Sequence, residues 1–248
     1  MEGGLLDRLS VDSVLNDLDE YAVEEALRIV EAHGGNGEGG PHSVTVISMG
    51  PGRTVDAARK ALSMGADSAI IITDDALAGS DALATSKVLA ALIAQGDFDL
   101  VICGTESTDA RMSVIPAMIA MRLGWAQLTF AGSVTIDPVA KSAAIARMTE
   151  SGVEKMSASF PAVISVVEKI NEPRYPSFKG IMAAKKKSME VRTLASLGID
   201  AALVGTAGAK STVIDAVPRP PRAAGIKIVD EGNGGTELVN FLVEKKLI

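Results

Sequence analysis

Short apolar runs alternate with amphipathic stretches through the first half of the chain. From Asn16 to Ala32, Ala22, Ala26, Ile29 and Val30 fall on one helical face and Glu24, Glu25 and Arg28 on the other, which predicts an amphipathic helix. The Gly-rich HGGNGEGGP (His33 to Pro41) then predicts a surface loop. SVTVIS (Ser43 to Ser48) reads as a strand broken by GPGR (Gly50 to Arg53). Thr54 is placed to cap a helix through Met64, which Gly65 ends. The pattern repeats: Ser68 to Ile72 is a strand, Ser80 to Gln95 a helix, Asp99 to Cys103 a strand and about Met112 to Leu123 a helix. Strand, loop, helix, strand is the mark of βαβ units, whose crossovers are right-handed.

The texture changes after Trp125. Ser133 to Ile136, Ser142 to Met148 and Val153 to Ser157 read as short antiparallel strands, and Pro161 to Val167 as a buried one. NEPRYPSFKGIMAAKKK (Asn171 to Lys187) reads as a loop that holds an aromatic out between small and charged residues. Beyond it periodicity fades. VPRPPRAAG (Val217 to Gly225) suits neither helix nor central strand, and Thr236 to Lys246 is a last amphipathic helix. The expected architecture is α/β: a mostly parallel sheet flanked by helices, with a small antiparallel β section. The division is a domain over 1–190 and, over 191–248, a C-terminal arm lying on a partner.

Composition sharpens this picture. The 248 residues are 47% apolar but only 3% aromatic, so the core must be built from Ala, Val, Ile, Leu and Met, which suits buried parallel strands. A net charge of −7 argues against nucleic acid, whose binding rests on neutralising phosphates. The single cysteine, Cys103, excludes an intrachain disulfide and fits a reducing compartment, and ending an apolar strand it reads as an inert buried thiol. His33 and His42 lie in the Gly-rich stretch without a ligand cluster, so no metal site is expected. No apolar run reaches bilayer-spanning length, and MEGGLLDRLS does not read as a signal peptide.

Two strand-to-helix turns could carry chemistry. Gly104 to Ser113 follows a strand and precedes a helix, where open α/β sheets bind ligands and helix N-termini offer N–H groups to phosphate. Thr105, Ser107, Thr108 and Ser113 add hydroxyls and Arg111 adds charge. The same residues serve equally well as turn and capping groups. Ser48 to Arg53 reads first as an ordinary turn, since neither the dinucleotide fingerprint nor the P-loop is present. Asp74 and Asp75 read as a solvated turn, and Lys185 to Lys187 as a solvated edge. There is no Ser–His–Asp candidate and no catalytic constellation. The chain reads as one that positions a cofactor or partner, not as an enzyme.

AVEEALRI (Ala22 to Ile29), RKALSMGAD (Arg59 to Asp67), FPAVISV (Phe160 to Val166) and NEPRYPSFKGIMAAKKK resemble the β subunit of electron transfer flavoprotein. The spaced set Arg147, Glu150, Gly152, Glu154 and Pro161 to Ser165 resembles that family's signature, with Ser151 a departure. The resemblance runs from about Leu15 to the C-terminus. It implies a Rossmann-like, adenine-nucleotide-binding fold and a heterodimer with an α subunit that holds most of the FAD site. It also implies electron uptake from acyl-CoA and related dehydrogenases in fatty acid oxidation, and delivery to a quinone oxidoreductase. The expected location is bacterial cytoplasm or, in a eukaryote, the mitochondrial matrix. AMP is expected at Asn16, Asp17, Leu18 and Asp19, at Met49, and at Gly104, Thr105, Glu106, Ser107, Thr108, Asp109, Ala110, Arg111, Met112, Ser113, Val114 and Ile115. Dehydrogenase docking is expected at Tyr175, Pro176, Ser177, Phe178, Lys179, Gly180, Ile181 and Met182, with Phe178 as the anchor. The family opens with a strand of the type VxVKxVPD, central to its sheet, which MEGGLLDR does not match. A shortened start or a substitute segment is implied. Two alternatives stand beside this reading: an electron-bifurcating relative with a second FAD in the AMP site, and a stand-alone adenine-nucleotide-binding protein.

Overall fold

The computed structural model describes residues 6–8, 10–37, 39–217, 219–222, 225–227 and 229–248. Its elements follow as α1 (Asp17–Ala32), β1 (Thr45–Met49), α2 (Thr54–Met64), β2 (Ser68–Ile72), α3 (Ala82–Ile93), β3 (Leu100–Gly104), α4 (Ile115–Leu123), β4 (Ala126–Asp137), β5 (Ser142–Thr149), β6 (Gly152–Ser159), β7 (Ala162–Val166), α5 (Phe178–Ala184), β8 (Met189–Arg192), α6 (Gly205–Gly208) and α7 (Gly234–Glu244). Mixed α/β architecture is as expected. Among the described residues the strands form a parallel three-stranded sheet in the order β1-β2-β8 and a mixed five-stranded sheet in the order β3-β7-β4-β5-β6.

Among the described residues β1 and β3 are sheet edges, each paired on one side only. Ile47 of β1 and Val101 of β3 nevertheless pack on the same cluster, formed by Ile93, Ile119, Ala120 and Val163. A second cluster under the three-stranded sheet joins Ile72, Val88 and Leu92 to Leu194, Leu197 and Val204. Leu194, Leu197 and Val204, beyond β8, are therefore core, and position 190 falls inside β8. Two compact units result, 1–213 and 214–248, the second holding α7.

β4 joins parallel to antiparallel pairing. Its first half runs parallel to β7 and its second antiparallel to β5, with register shifts between Leu128 and Ser133. Phe130 sits there at φ 60°, and its N–H donates to the buried Ser165 hydroxyl at 2.9 Å. Only Ser133 to Ile136 of this strand was expected. The bulge and the glycine at 132 break the alternation that marks a strand. At the β5–β6 turn Gly152 takes φ 140°, where a side chain would be strained.

Several sequence expectations are corrected. Arg53, not Thr54, occupies the N-cap position of α2, and it makes no side-chain cap bond. Asn171 to Lys187 is not all loop: α5 occupies its middle, with the Ser177 hydroxyl accepting from Gly180 N–H at 3.0 Å as a true N-cap. Glu24 and Glu25, assigned to the wet face of α1, are 3% and 8% exposed. Lys187 is no solvated edge. Its Nζ donates to the carbonyls of Leu62 (3.1 Å), Gly65 (3.1 Å) and Ala66 (2.6 Å) at the end of α2, where a cation suits the helix dipole. Burial lowers the Lys187 pKa, with Asp67 pulling the other way.

Candidate functional site

The first group of candidate residues gathers around the start of α1. The Asn16 side chain does not cap its own helix. It reaches to the loop after β3, donating from Nδ2 to Glu106 O (2.9 Å) and accepting from Thr108 N–H at Oδ1 (3.0 Å). Asp19 Oδ1 accepts from Gly104 N–H at 2.7 Å. Gly104 must be glycine here, since a Cβ would lie 2.6 Å from the carbonyl carbon and oxygen of Leu18. The segments Asn16–Asp19 and Gly104–Ile115 are thus one unit, although about ninety positions separate them in the chain. Arg8 and Asp109 add an ion pair at 2.5 Å. The turn after β1 joins through Arg53, which donates to Val11 O (3.3 Å) and pairs with Asp12 (2.9 Å).

Within the loop, Arg111 (φ 49°) and Ser113 (φ 54°) are both left-handed, a conformation that concentrates at ligand sites. Ser113 Oγ donates to Glu106 Oε2 at 2.6 Å, and Thr105 Oγ1 donates to Val166 O at 2.7 Å. Ser107, Thr108, Asp109, Ala110, Arg111 and Met112 face solvent. α4 begins with Val114 as N-cap, without a side-chain cap bond, which leaves its first N–H groups open to an anion. Pro116 suits this start because the first turn has no use for its missing N–H. Met49 ends β1, and its half-buried side chain packs on the cluster of Ile72, Leu77 and Val88.

The site carries an enclosed carboxyl and thiol. Burial pushes Asp19 above the usual carboxylate range, against the bonds from Asn16 and Gly104. Cys103 is half-buried as a residue, yet burial, and after it the Asp19 charge, pushes its thiol up to about 12. It is protonated at neutral pH and no nucleophile. Among the described residues no group of three His, Cys, Asp or Glu could hold a metal. His33 and His42 serve the backbone, through Ile29 O (2.7 Å) and His33 O (2.9 Å). Asp74 is half-buried rather than solvated and accepts from Ala76 N–H and Leu194 N–H.

The second group stands on α5. Tyr175 is 97% exposed and Phe178 80%, with Ile181 and Met182 also exposed. Phe178, Ile181 and Met182 lie at i, i+3 and i+4, so one face of the helix is an outward apolar stripe. Its other face meets α2: Ala184 is buried, and a Cβ on Gly180 would lie 2.5 Å from Ser63 O. Pro176 lines a cleft of about 480 Å³ between the two helices, beside Arg59, Lys60 and Lys185. Lys179 is exposed.

Sequence reasoning missed what holds this segment. Arg174 bridges two carboxylates of α1: Nε and Nη2 donate to Glu24 (2.6 and 3.1 Å), Nη1 and Nη2 to Glu31 (2.6 and 3.0 Å). Arg28 Nε adds a bond to Glu24 at 2.8 Å. Burial would raise the Glu24 carboxyl, but the bonds from Arg174 and Arg28 outweigh it and hold the group below the usual range. Two adjacent glutamates within the α1 apolar pattern were the available signal; their partners, Arg174 for Glu24 and Asn171 for Glu25, lie 150 and 146 residues away.

Comparison with known proteins agrees with this picture. A family model described as the electron transfer flavoprotein domain matches residues 3–197. The electron transfer flavoprotein subunit beta of Mycobacterium tuberculosis is 50% identical over 244 residues, covering 98% of this chain and 90% of that protein. That of Thermoanaerobacterium thermosaccharolyticum is 37% identical over 221 residues, covering 88% and 82%. Protein FixA of Azotobacter vinelandii is 32% identical over 229 residues, covering 90% and 79%. With the family model spanning most of its length and half its residues shared with such a subunit, the chain belongs to the electron transfer flavoprotein β-subunit family.

Proposed function

We propose that this chain is the β subunit of an electron-carrying heterodimer. It completes a FAD site held mainly by an α subunit, retains AMP, and docks acyl-CoA and related dehydrogenases. The observation that carries the reading is the exposed apolar face of α5, which gains nothing in the isolated chain and suits a pocket on a partner. The complex would deliver electrons to a quinone oxidoreductase. Among the described residues no helix is long and apolar enough to cross a membrane. Cytoplasmic location is part of the proposal.

The donor set around the loop after β3 fits a nucleotide. The open N-terminus of α4 and the exposed Arg111 and Ser107 would hold the phosphate, while Asn16, Asp19 and Gly104 fix the loop that presents them. A Rossmann-like adenine site at the carboxyl ends of β1 and β3 is the fold-level form of this proposal. AMP supplies no redox chemistry; the flavin, when bound, takes up and releases the electrons. This chain's residues supply shape, anion binding and docking, and none is proposed to make or break bonds. Leu238, Val239 and Val243 of α7 are exposed, which supports a C-terminal arm that lies on the α subunit.

The test is transfer itself. The purified heterodimer is mixed with a substrate-reduced acyl-CoA dehydrogenase and flavin bleaching is followed. Saturable bleaching supports the proposal; none with any such donor overturns the docking role.

A further inference from the structure

A helix is ordinarily held in place by its apolar face, and α5 reverses this arrangement. Its apolar residues Phe178, Ile181 and Met182 are largely exposed, and toward α2 it offers only Ala184, the bare Gly180 and the part of Ile181 that lines the cleft between the two helices. Polar bonds at its ends fix it instead. Before it, Asn171 Nδ2 donates to Tyr21 O and Glu25 Oε2, both at 3.0 Å. Arg174 follows, with its guanidinium and its backbone N–H on Glu24 and its guanidinium also on Glu31. Beyond α5, the Lys187 ammonium sits on three carbonyls at the end of α2. Between the posts, Arg59 Nη1 donates to Ala184 O at 2.9 Å. The segment 175–186 is therefore an arch whose posts stand on two different helices.

Resting on the docking role proposed above, we infer that Arg174 and Lys187 are positioning residues for partner recognition: they hold the Tyr175–Phe178–Ile181–Met182 face in its docking geometry before the partner arrives. A segment ordered in advance does not lose its backbone freedom on binding, and that loss is a main cost of association. Arg174 suits the task better than lysine, because its planar fork engages two carboxylates at once. Neither residue belongs to the outward apolar face; each acts through the segment it restrains.

The experiment uses the intact heterodimer with a substrate-reduced acyl-CoA dehydrogenase as donor, and compares Arg174→Gln, Arg174→Lys, Lys187→Gln and Phe178→Ala. Arg174→Gln should raise the KM for the heterodimer about ten-fold with kcat nearly unchanged. It should also speed amide exchange in 175–186 and leave flavin content intact. Arg174→Lys should recover part of both effects. Phe178→Ala should raise KM without faster exchange. Should Arg174→Gln fail to fold, Lys187→Gln tests the other post by the same two readouts. Unchanged exchange and KM in a folded post variant, with KM raised by Phe178→Ala, overturns the positioning role alone. Unchanged KM in Phe178→Ala removes the docking role on which it rests.

Discussion

Replacing Phe178 by alanine probes docking with little risk to folding, because the side chain is 80% exposed and begins a helix capped by Ser177. A phenylalanine side chain offers roughly 150–250 Å² of surface. At this exposure about 120–200 Å² remains to be buried by a partner, worth roughly 3–5 kcal/mol at about 25 cal/mol per Å². Immobilising the ring and its neighbours offsets part of this, so truncation should cost about 2 kcal/mol, or ~30-fold in donor affinity. Stability should change by no more than about 0.5 kcal/mol, as for other surface substitutions. The assay is stopped-flow bleaching of the heterodimer flavin over a range of reduced dehydrogenase concentrations. The half-saturating concentration should rise, and the limiting rate should stay near its original value. Phe178→Leu, which keeps an apolar side chain, should recover most of the affinity. An unchanged half-saturating concentration in a folded Phe178→Ala variant would refute the reasoning.

Two further substitutions separate the parts of the molecule. Gly104→Ala places a Cβ against the Leu18 backbone and should push α1 away from the loop after β3. Nucleotide released from the purified complex should then show AMP lost and FAD kept; retention of AMP at full stoichiometry would contradict the site. Glu24→Gln removes the carboxylate that Arg174 and Arg28 share, and should cost about 2 kcal/mol at neutral pH, roughly 4–8 °C in Tm. Because folding holds the Glu24 carboxyl below its ordinary 4.5, its contribution is present above that pH and is lost as pH falls through the folded-state value. Melting curves of variant and parent should therefore converge on acidification, and a gap independent of pH would argue against the ionic role.

The parts of the fold that were legible in the sequence are those with local periodicity. α1, α2, β2 and the turn after β3 lie within a residue or two of where apolar spacing and glycines put them. β8 was not legible, because Met189–Arg192 alternates apolar and charged residues over four positions only, too short a run to mark a strand. The first half of β4 was hidden by its bulge. α5 was hidden by its inversion: an outward apolar stripe flanked by prolines and lysines has the composition of a loop. The burial of Glu24 and Lys187 depended on partners distant in the chain, which no window of sequence contains. The gathering of Asn16–Asp19 with Gly104–Ile115 was expected from family resemblance; by residue pattern alone only the second segment stood out.

Native mass spectrometry of the complex purified under mild conditions, followed by release of its nucleotides, tests the central claim most directly. One copy of this chain, one α subunit, one FAD and one AMP should be found. Two FAD and no AMP would replace the carrier with a bifurcating relative. A flavin-bearing monomer or homo-oligomer of this chain, with no second subunit, would contradict the account.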